Sequence, residues 1–133
     1  MSCADVCLDM DYDEDNEFYS AGIHRARKVH QCCECHAVIP INARYERATG
    51  KTDGELWTAK TCIVCMEIRQ AVVCGSWAFG SLWSGLKSSM FPAWVRLSPL
   101  DCLAKIESLI ARDALRAAYR EWLLSPHHEE RGA

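Results

Sequence analysis

The pattern of apolar and polar positions divides the middle of the chain into two short strands and a helix. Residues 44–48 and 55–60 carry β-branched or aromatic side chains at intervals, which is typical of strands. Residues 49–54 include two glycines and would connect the strands as a hairpin loop. From Cys62 onward the apolar positions return at helical spacing, and Thr61 can cap the helix. The pattern therefore predicts a β-hairpin that leads directly into a helix.

Two further helices are predicted in the C-terminal half. Apolar residues recur at helical intervals over residues 77–90, and Pro92 marks the predicted end of that helix. Residues 98–101 have the pattern of a helix start, so one helix is predicted from there to Ser125. Its predicted apolar face consists of Leu103, Ile106, Leu109, Ile110, Ala114, Leu115, Ala118 and Trp122. The helix also carries a row of arginines, Arg112, Arg116 and Arg120. These side chains either form a solvated helix face or bind acidic groups of a partner or of the N-terminal segment.

Four cysteines at regular spacing are the strongest chemical signal. Cys32 and Cys35 form one Cys-x-x-Cys pair, and Cys62 and Cys65 form another after twenty-six intervening residues. Zinc prefers four soft ligands in a tetrahedron, and a two-residue spacer lets one tight turn present two sulfurs to the same ion. The second pair also lies at the predicted helix N-terminus, whose partial positive charge favours thiolates. The spacing therefore predicts one structural zinc ion bound by these four cysteines.

The cysteine doublet in the first pair leaves a choice of ligand. Cys33 and Cys35 are separated by only one residue, which is too close for the usual zinc knuckle, so Cys32 is preferred over Cys33. His30 and His36 flank the pair as candidate substitute ligands, although an ordinary packed or exposed histidine is the simpler interpretation of each. A knuckle, a hairpin and a helix that supplies the last two ligands describe a treble clef. We therefore predict an α+β chain in which two packed helices follow a small treble-clef zinc module.

The zinc module resembles a group of small zinc proteins from phages and prophages. The resemblance rests on residues 27–35, Ile39-Pro40, Tyr45-Glu46, residues 50–54 and residues 61–65. Members often carry glycine where this chain has Asn42, a difference that a left-handed turn tolerates. The resemblance covers roughly residues 25–70, and it implies a phage-type origin and a zinc-stabilised core. It implies no particular reaction, because proteins of that group generally have no assigned biochemical role.

The length and composition of the chain are typical of one small globular domain. The 133 residues are half apolar and a quarter charged, and they contain no long uncharged apolar run or basic secretory leader. We therefore expect no membrane association and a cytoplasmic location, in the host cell for a phage protein. The nine cysteines favour metal ligands and free thiols over disulfides, because the cytosol keeps thiols reduced. The sequence assigns no role to Cys3, Cys7, Cys33, Cys74 or Cys102.

Composition also divides the chain into four segments. These are an acidic N-terminal segment (1–23), the zinc module (24–73), a helical part packed on it (74–125) and a tail (126–133). Seven acids and no Lys or Arg lie in residues 1–19, either as a patch that docks on a partner or as a solvated lead-in. A calcium loop is rejected there, because Glu14 and Ser20 replace the glycine and the glutamate that an EF-hand requires.

Few groups in the sequence support catalysis. Four thiolates close a zinc coordination sphere, and the histidines after Cys35 are only His36, His127 and His128, so we expect no enzyme. The leading expectation is a zinc-stabilised adaptor or inhibitor that binds a protein in a bacterial host. It would use the acidic segment or an aromatic surface built from Trp77, Trp83, Phe91 and Trp94. A core position is the simpler interpretation of those aromatic residues.

The alternative expectation is a small regulator that binds nucleic acid. Its candidate contacts are Arg25, Arg27, Lys28, Arg44, Arg47, Lys51 and Lys60. Once four thiolates and one zinc ion are counted, the zinc module carries only a small positive charge. Duplex binding normally draws on several clustered phosphate contacts. The sequence therefore favours a protein partner over nucleic acid.

Overall fold

The computed structural model describes residues 18–74, 77–96 and 100–125 of the chain. In these residues all strands precede all helices, and the predicted α+β class is confirmed. The strands are β1 (Phe18–Arg25), β2 (His30–Gln31), β3 (Val38–Ile39), β4 (Arg44–Thr52) and β5 (Glu55–Cys62). The helices are α1 (Ile63–Val72), α2 (Leu82–Gly85), α3 (Phe91–Arg96), α4 (Leu100–Ala104) and α5 (Leu109–Leu124), with a π-helical turn at Leu86–Met90. No helix in these three ranges is long and apolar enough to cross a bilayer.

The main sheet has three antiparallel strands in the order β1-β4-β5. The sequence pattern does not predict β1, and the expected segment boundary after residue 23 lies inside this strand. Neither face of β1 is buried. Apolar and polar residues alternate along a strand when one face is buried, so this strand lacks the alternating pattern. Its register places Phe18 opposite Lys51 and Arg25 opposite Arg44. β1 therefore adds a third strand to the sheet of the predicted hairpin.

The hairpin predicted from the strand pattern is present, but its strands are longer and its loop is shorter than expected. β4 reaches Thr52 and β5 begins at Glu55, so only Asp53 and Gly54 form the turn. These two residues have φ of +52° and +81°, as a type I′ turn requires. The turn sets the register of the hairpin, in which Thr52 lies opposite Glu55.

A second, two-stranded sheet holds the first cysteine pair. β2 pairs with β3, and His30 lies opposite Ile39. After β3 the chain turns at Asn42, whose φ of +73° confirms the left-handed turn expected there. The N–H of Asn42 donates to the carbonyl of Ala26, and the N–H of Ala26 donates to the carbonyl of Ala43, both at 2.8 Å. This turn is therefore joined to the residue that follows β1.

The helix predicted over residues 77–90 is displaced toward the C-terminus. It begins at Leu82, passes through the π-helical turn and continues through α3, so Pro92 lies inside it. The N–H of Phe91 donates to the carbonyl of Leu86, five residues earlier. A wider π-helical turn relieves the clash between a proline ring and the carbonyl four residues before it. The expected end at Pro92 is therefore wrong.

The single helix predicted from residues 98–101 to Ser125 is two helices, α4 and α5. Ser108 is the N-cap of α5, and its hydroxyl accepts a hydrogen bond from the N–H of Ala111 at 3.3 Å. The guanidinium group of Arg112 donates to the carbonyl of Ile106 at 2.6 Å. These hydrogen bonds satisfy backbone groups at the break. The predicted cap residues 98 and 99 lie outside the described ranges.

The core is formed by α1, α5, the α2–α3 helical segment and the edge of the sheet. Phe91 is completely buried, and its ring contacts those of Trp94, Tyr119 and Trp122. Phe91 and Trp94 are therefore core residues. Leu109 and Ile110, which the sequence places on the apolar face of the last helix, are 66% and 73% exposed. The predicted apolar face assumes one continuous helix from residue 98 to Ser125. Because the chain breaks before α5, Leu109 and Ile110 do not face the direction that a continuous helix would give them.

Candidate metal centre and interaction surfaces

The four cysteines of the two predicted pairs converge on one point. The sulfur atoms of Cys32, Cys35, Cys62 and Cys65 all lie within 4.8 Å of one another, and none is in a disulfide. The sulfurs of Cys35 and Cys62 are 3.8 Å apart. Sulfurs placed about 2.3 Å from a tetrahedral zinc ion would be separated by about 3.8 Å. The group therefore has the spacing of a four-thiolate metal site.

Local backbone geometry places each pair of sulfurs. In the first pair, the N–H of His36 donates to the carbonyl of Cys32 at 3.0 Å, and His36 has φ of +64°, so the chain turns sharply. In the second pair, Cys62 ends β5 and is the N-cap of α1. Its sulfur accepts a hydrogen bond from the N–H of Cys65 at 3.5 Å. The expectation that Thr61 caps this helix is therefore wrong.

Several N–H groups point at these sulfurs. The N–H groups of Glu34 and Cys62 donate to the sulfur of Cys32 at 3.4 and 3.3 Å. The indole N–H of Trp83 donates to the sulfur of Cys65 at 3.3 Å. Hydrogen bonds of this kind favour the thiolate form that binds metal ions. The sequence places Trp83 only among the aromatic surface candidates and does not predict this contact, because only the tertiary fold brings it to Cys65.

The thiols also control one another's ionisation. Hydrogen bonds from the thiols of Cys62 and Cys65 lower the pKa of Cys32 far below its usual range. The same interaction raises the pKa of Cys62 to about 12 and raises the pKa of Cys65 as well. Without metal, one thiolate is therefore favoured and its neighbours keep their protons. A metal ion has to displace these protons, so its binding weakens as the pH falls.

Cys33 and the two flanking histidines lie outside the cluster. The sulfur of Cys33 is 3.5 Å from the hydroxyl oxygen of Thr61, and burial raises the pKa of this thiol. The ring of His30 packs on Tyr45 with a centroid distance of 5.1 Å. His36 is exposed. The arrangement agrees with the choice of Cys32 over Cys33, and it gives no ligand role to either histidine.

Glu34 connects the metal centre to the helical part. Its side chain is buried, and Oε1 accepts a hydrogen bond from the N–H of Leu82 at 3.1 Å. Leu82 is the first residue of α2, and Ser81 at the N-cap makes no side-chain cap hydrogen bond. The carboxylate therefore satisfies a helix N-terminus that is distant in sequence. The cysteine spacing does not predict that Glu34 caps this helix.

A buried ion pair lies on the side of the main sheet that α1 covers. The Nη2 atom of Arg69 is 2.8 and 2.6 Å from the two carboxylate oxygens of Glu46, and the side chains are 6% and 9% exposed. The guanidinium carbon also lies 5.4 Å from the ring centre of Trp77 and 5.3 Å from that of Phe79. Cation–π contacts and the ion pair together compensate for the desolvation of the guanidinium group. They hold both rings close to the sheet.

These rings continue into an open concave surface beside β5. We name it the aromatic cleft; it has a volume of about 840 Å³, and its aromatic residues are Tyr19, Trp57, Trp77 and Phe79. Neighbouring ring centroids are 6.1 Å apart for Tyr19 and Trp57, 5.8 Å for Trp57 and Phe79, and 6.2 Å for Phe79 and Trp77. Of the four aromatic residues predicted as a partner surface, only Trp77 lines this cleft.

The seven basic candidate contacts do not form one patch. Arg47, Lys51 and Lys60 have side chains on the same face of the main sheet, as the strand register shows. Arg25 and Arg44 lie opposite each other at one end of the sheet, and Arg25 donates to the carbonyl of Asn42 at 2.9 Å. Arg27 and Lys28 are exposed in the loop between β1 and β2.

Two of the three arginines in the predicted row on α5 contact groups on α5 or just before it. Arg112 binds the carbonyl of Ile106, and Arg116 lies 3.8 Å from Asp113 on the same helix. Arg120 is exposed. The row therefore gives no evidence of a partner.

Two cysteines outside the metal cluster are oxidised. Cys74 and Cys102 are each disulfide-bonded. The expectation of free thiols is therefore wrong for these residues, and disulfides are rare in the cytosol. A cytoplasmic location remains a prediction that this finding does not favour. Cys3, Cys7, the acids before Phe18 and the tail histidines His127 and His128 lie outside the described ranges.

Comparisons with known proteins identify no relative. No protein-family model, no curated protein and no solved structure matches the chain. The resemblance to small phage and prophage zinc proteins therefore stays a prediction. Function has to be inferred from the geometry of the cysteine cluster and the surfaces around it.

Proposed function

We propose that the cysteine cluster binds one structural zinc ion and that the knuckle, hairpin and α1 form a treble clef around it. Four soft thiolates at tetrahedral spacing are a donor set that zinc prefers, and they leave no open coordination position for a substrate. The N–H donors of Glu34, Cys62 and Trp83 offset the negative charge of the sulfurs. The ion's role is to hold the knuckle against the hairpin. A phage-type origin is part of this proposal.

The protein's function is to bind an extended segment of a partner protein in the aromatic cleft. The observation that carries this proposal is the continuous series of rings from Tyr19 through Trp57 and Phe79 to Trp77 beside an open concave surface. Aromatic residues that line well-packed pockets are typical of hot spots in protein interfaces. On this proposal the chain is a zinc-stabilised binding module and not an enzyme.

The ring of Trp57 is held rigidly before any partner arrives. Its indole N–H donates to the hydroxyl of Thr52 at 3.0 Å. Its ring also lies so close to Gly50 that a Cβ atom at that position would be 2.3 Å from the ring. A preformed ring loses little conformational freedom on binding, so more of the contact energy contributes to affinity.

The edge of β5 indicates that the partner segment is extended. The carbonyl of Lys60 accepts a hydrogen bond from the N–H of Cys33 at 2.8 Å, on the side away from β4. Because backbone groups alternate along an antiparallel strand, those of Leu56 and Thr58 also point away from β4. They have no backbone partner on that side within the described ranges. An extended peptide can pair with this edge and place its side chains against Trp57.

A peptide-display selection against the zinc-loaded protein tests this proposal. We expect the selected peptides to lose about 2 kcal/mol or more of binding free energy with Trp57→Ala. They should bind the control variant Ile110→Ala normally, because Ile110 is exposed on α5, an element that does not line the cleft. Bound peptide should also slow amide hydrogen exchange at Leu56 and Thr58.

Two results would contradict the proposed function. The first is a set of peptides that bind Trp57→Ala as tightly as the native protein. The second is binding that leaves exchange at Leu56 and Thr58 unchanged, because a peptide paired with the β5 edge has to protect these amides. Zinc content and circular dichroism of both variants serve as folding controls.

A further inference from the structure

On the side of the main sheet that faces away from α1, the described strand residues include hydrogen-bond donors and no Asp or Glu. Residues directly opposite each other in an antiparallel sheet have side chains on the same face, so the register defines rows across the three strands. Three of these rows are Gly22–Arg47–Lys60, Ser20–Thr49–Thr58 and Phe18–Lys51–Leu56. We name these nine residues the donor face. One row contains three hydroxyl groups, and the rows on either side of it contain the positive charges.

The donor face is accessible within the part of the chain that the structure describes. Arg47 is exposed, Lys60 is half-buried, and Phe18 and Leu56 are 45% and 72% exposed. The other side of the sheet differs, because Glu46 on that side contacts Arg69 of α1. Neither Arg47 nor Lys60 forms an ion pair with any of residues 18–74, 77–96 or 100–125. Both cations are therefore available to a ligand.

Positive charge is concentrated here although the whole chain has a net charge of −3. The thiolate cluster lies beyond the Arg47 row, and the hairpin turn with Asp53 lies beyond the Phe18 row. These negative groups confine a polyanion to the three rows of the donor face.

We propose that the donor face binds single-stranded nucleic acid. Arg47 and Lys60 lie side by side in one row and can contact adjacent phosphates, and the neighbouring hydroxyl row can donate to phosphate oxygens. Phe18 offers an exposed ring on which a base can stack. This ring favours a single strand with unstacked bases over an acidic peptide, which would use the cations alone.

The dimensions of the donor face limit the ligand. The three rows span four residue steps along a strand, which is about 14 Å, and three strands give a width of about 10 Å. A sheet surface of this size accepts about two or three nucleotides. Binding should therefore be weak, with a Kd of about 10⁻⁶–10⁻⁴ M at physiological salt, and it should depend steeply on salt.

Fluorescence anisotropy with labelled single-stranded dT12 tests the proposal on the full-length, zinc-loaded protein. We expect the double variant Arg47→Glu/Lys60→Glu to bind about tenfold more weakly at 50 mM salt. The control Arg116→Glu/Arg120→Glu makes the same charge change on α5, and its affinity should stay within about twofold of the native value. The neutral variant Arg47→Gln/Lys60→Gln repeats the test with less risk to folding. Its salt dependence, the slope of log K against log salt, should fall by about 1.4 for two lost contacts.

Other outcomes separate nucleic acid from other ligands. Phe18→Ala should weaken binding without changing the salt slope, because a stacked base involves no counterion release. The proposal is overturned if native protein does not bind dT12 at 50 mM salt, or if both charge-reversal variants lose the same affinity. It is also overturned if polyglutamate of equal charge competes as well as unlabelled dT12, since the partner is then an acidic protein. Leu56, Thr58 and Lys60 of the donor face also line the aromatic cleft. Trp57 and Arg47 belong to one site each, because their side chains lie on opposite sides of the sheet. Trp57→Ala in the peptide test and Arg47→Gln in the dT12 test therefore show which of the two proposals fails.

Discussion

At the scale of single residues, the metal centre depends on the direction in which each cysteine side chain points. Cys32 is fully buried and its sulfur accepts two backbone hydrogen bonds, whereas the sulfur of the adjacent Cys33 lies beside Thr61. Cysteine spacing predicts the cluster because each knuckle is a local structure. It does not predict Trp83 or Glu34, since their contacts depend on how the helical part packs against the sheet.

The cysteine doublet gives the residue-scale prediction. Cys33→Ser should keep one zinc ion and the native circular dichroism spectrum, because Cys33 is not in the cluster. Cys32→Ser should lose the ion and unfold the knuckle, because structural zinc contributes about 10 kcal/mol or more to folding in small modules. Elemental analysis and circular dichroism measure both effects. If Cys33→Ser loses zinc and Cys32→Ser keeps it, the assignment of ligands is wrong.

At the scale of elements, prediction succeeded where the local pattern determines the structure. The β4–β5 hairpin and the first turn of α1 follow from strand spacing, Asp53-Gly54 and the second cysteine pair. β1 has no alternating pattern because both of its faces are exposed. The break before α5 is stabilised by Ser108 and by a tertiary contact of Arg112, so apolar periodicity alone could not reveal it.

The hairpin provides the element-scale prediction. A methyl group at Gly50 would lie 2.3 Å from the ring of Trp57, so Gly50→Ala has to displace that ring. We expect it to lower the free energy of unfolding by about 1–3 kcal/mol and to change the tryptophan emission spectrum. Gly22→Ala is the matched control on the same sheet, because its nearest neighbouring atom is 3.8 Å away. Urea unfolding of the zinc-loaded proteins measures both, and equal stabilities would contradict the geometry.

At the scale of the whole molecule, the net charge of −3 is the sum of an acidic N-terminal sequence and a mildly basic remainder. The amino-acid composition gives the net charge but not where the charges lie. The strand register places Arg47 and Lys60 on one face of the sheet, where the described strand residues include no Asp or Glu. The seven acids of residues 5–17 end directly before Phe18, the first residue of that face. The sequence therefore tethers these acids to the first residue of the donor face. We expect their negative charge to oppose phosphate binding on that face.

Neutralising the acidic segment gives the whole-molecule prediction. Replacing Asp11, Asp13, Glu14 and Asp15 with Asn or Gln should tighten dT12 binding several-fold at 50 mM salt, because competing negative charge is removed. The gain should fade at 200 mM salt, since exposed charges are screened over about 10 Å at 0.1 M ionic strength. Combining these substitutions with Arg47→Glu/Lys60→Glu should abolish the gain if the acids act on the donor face. Zinc content should not change, because the cluster found among the described residues consists of four cysteines. Unchanged affinity at both salt concentrations would show that the acidic segment exerts no control over this face.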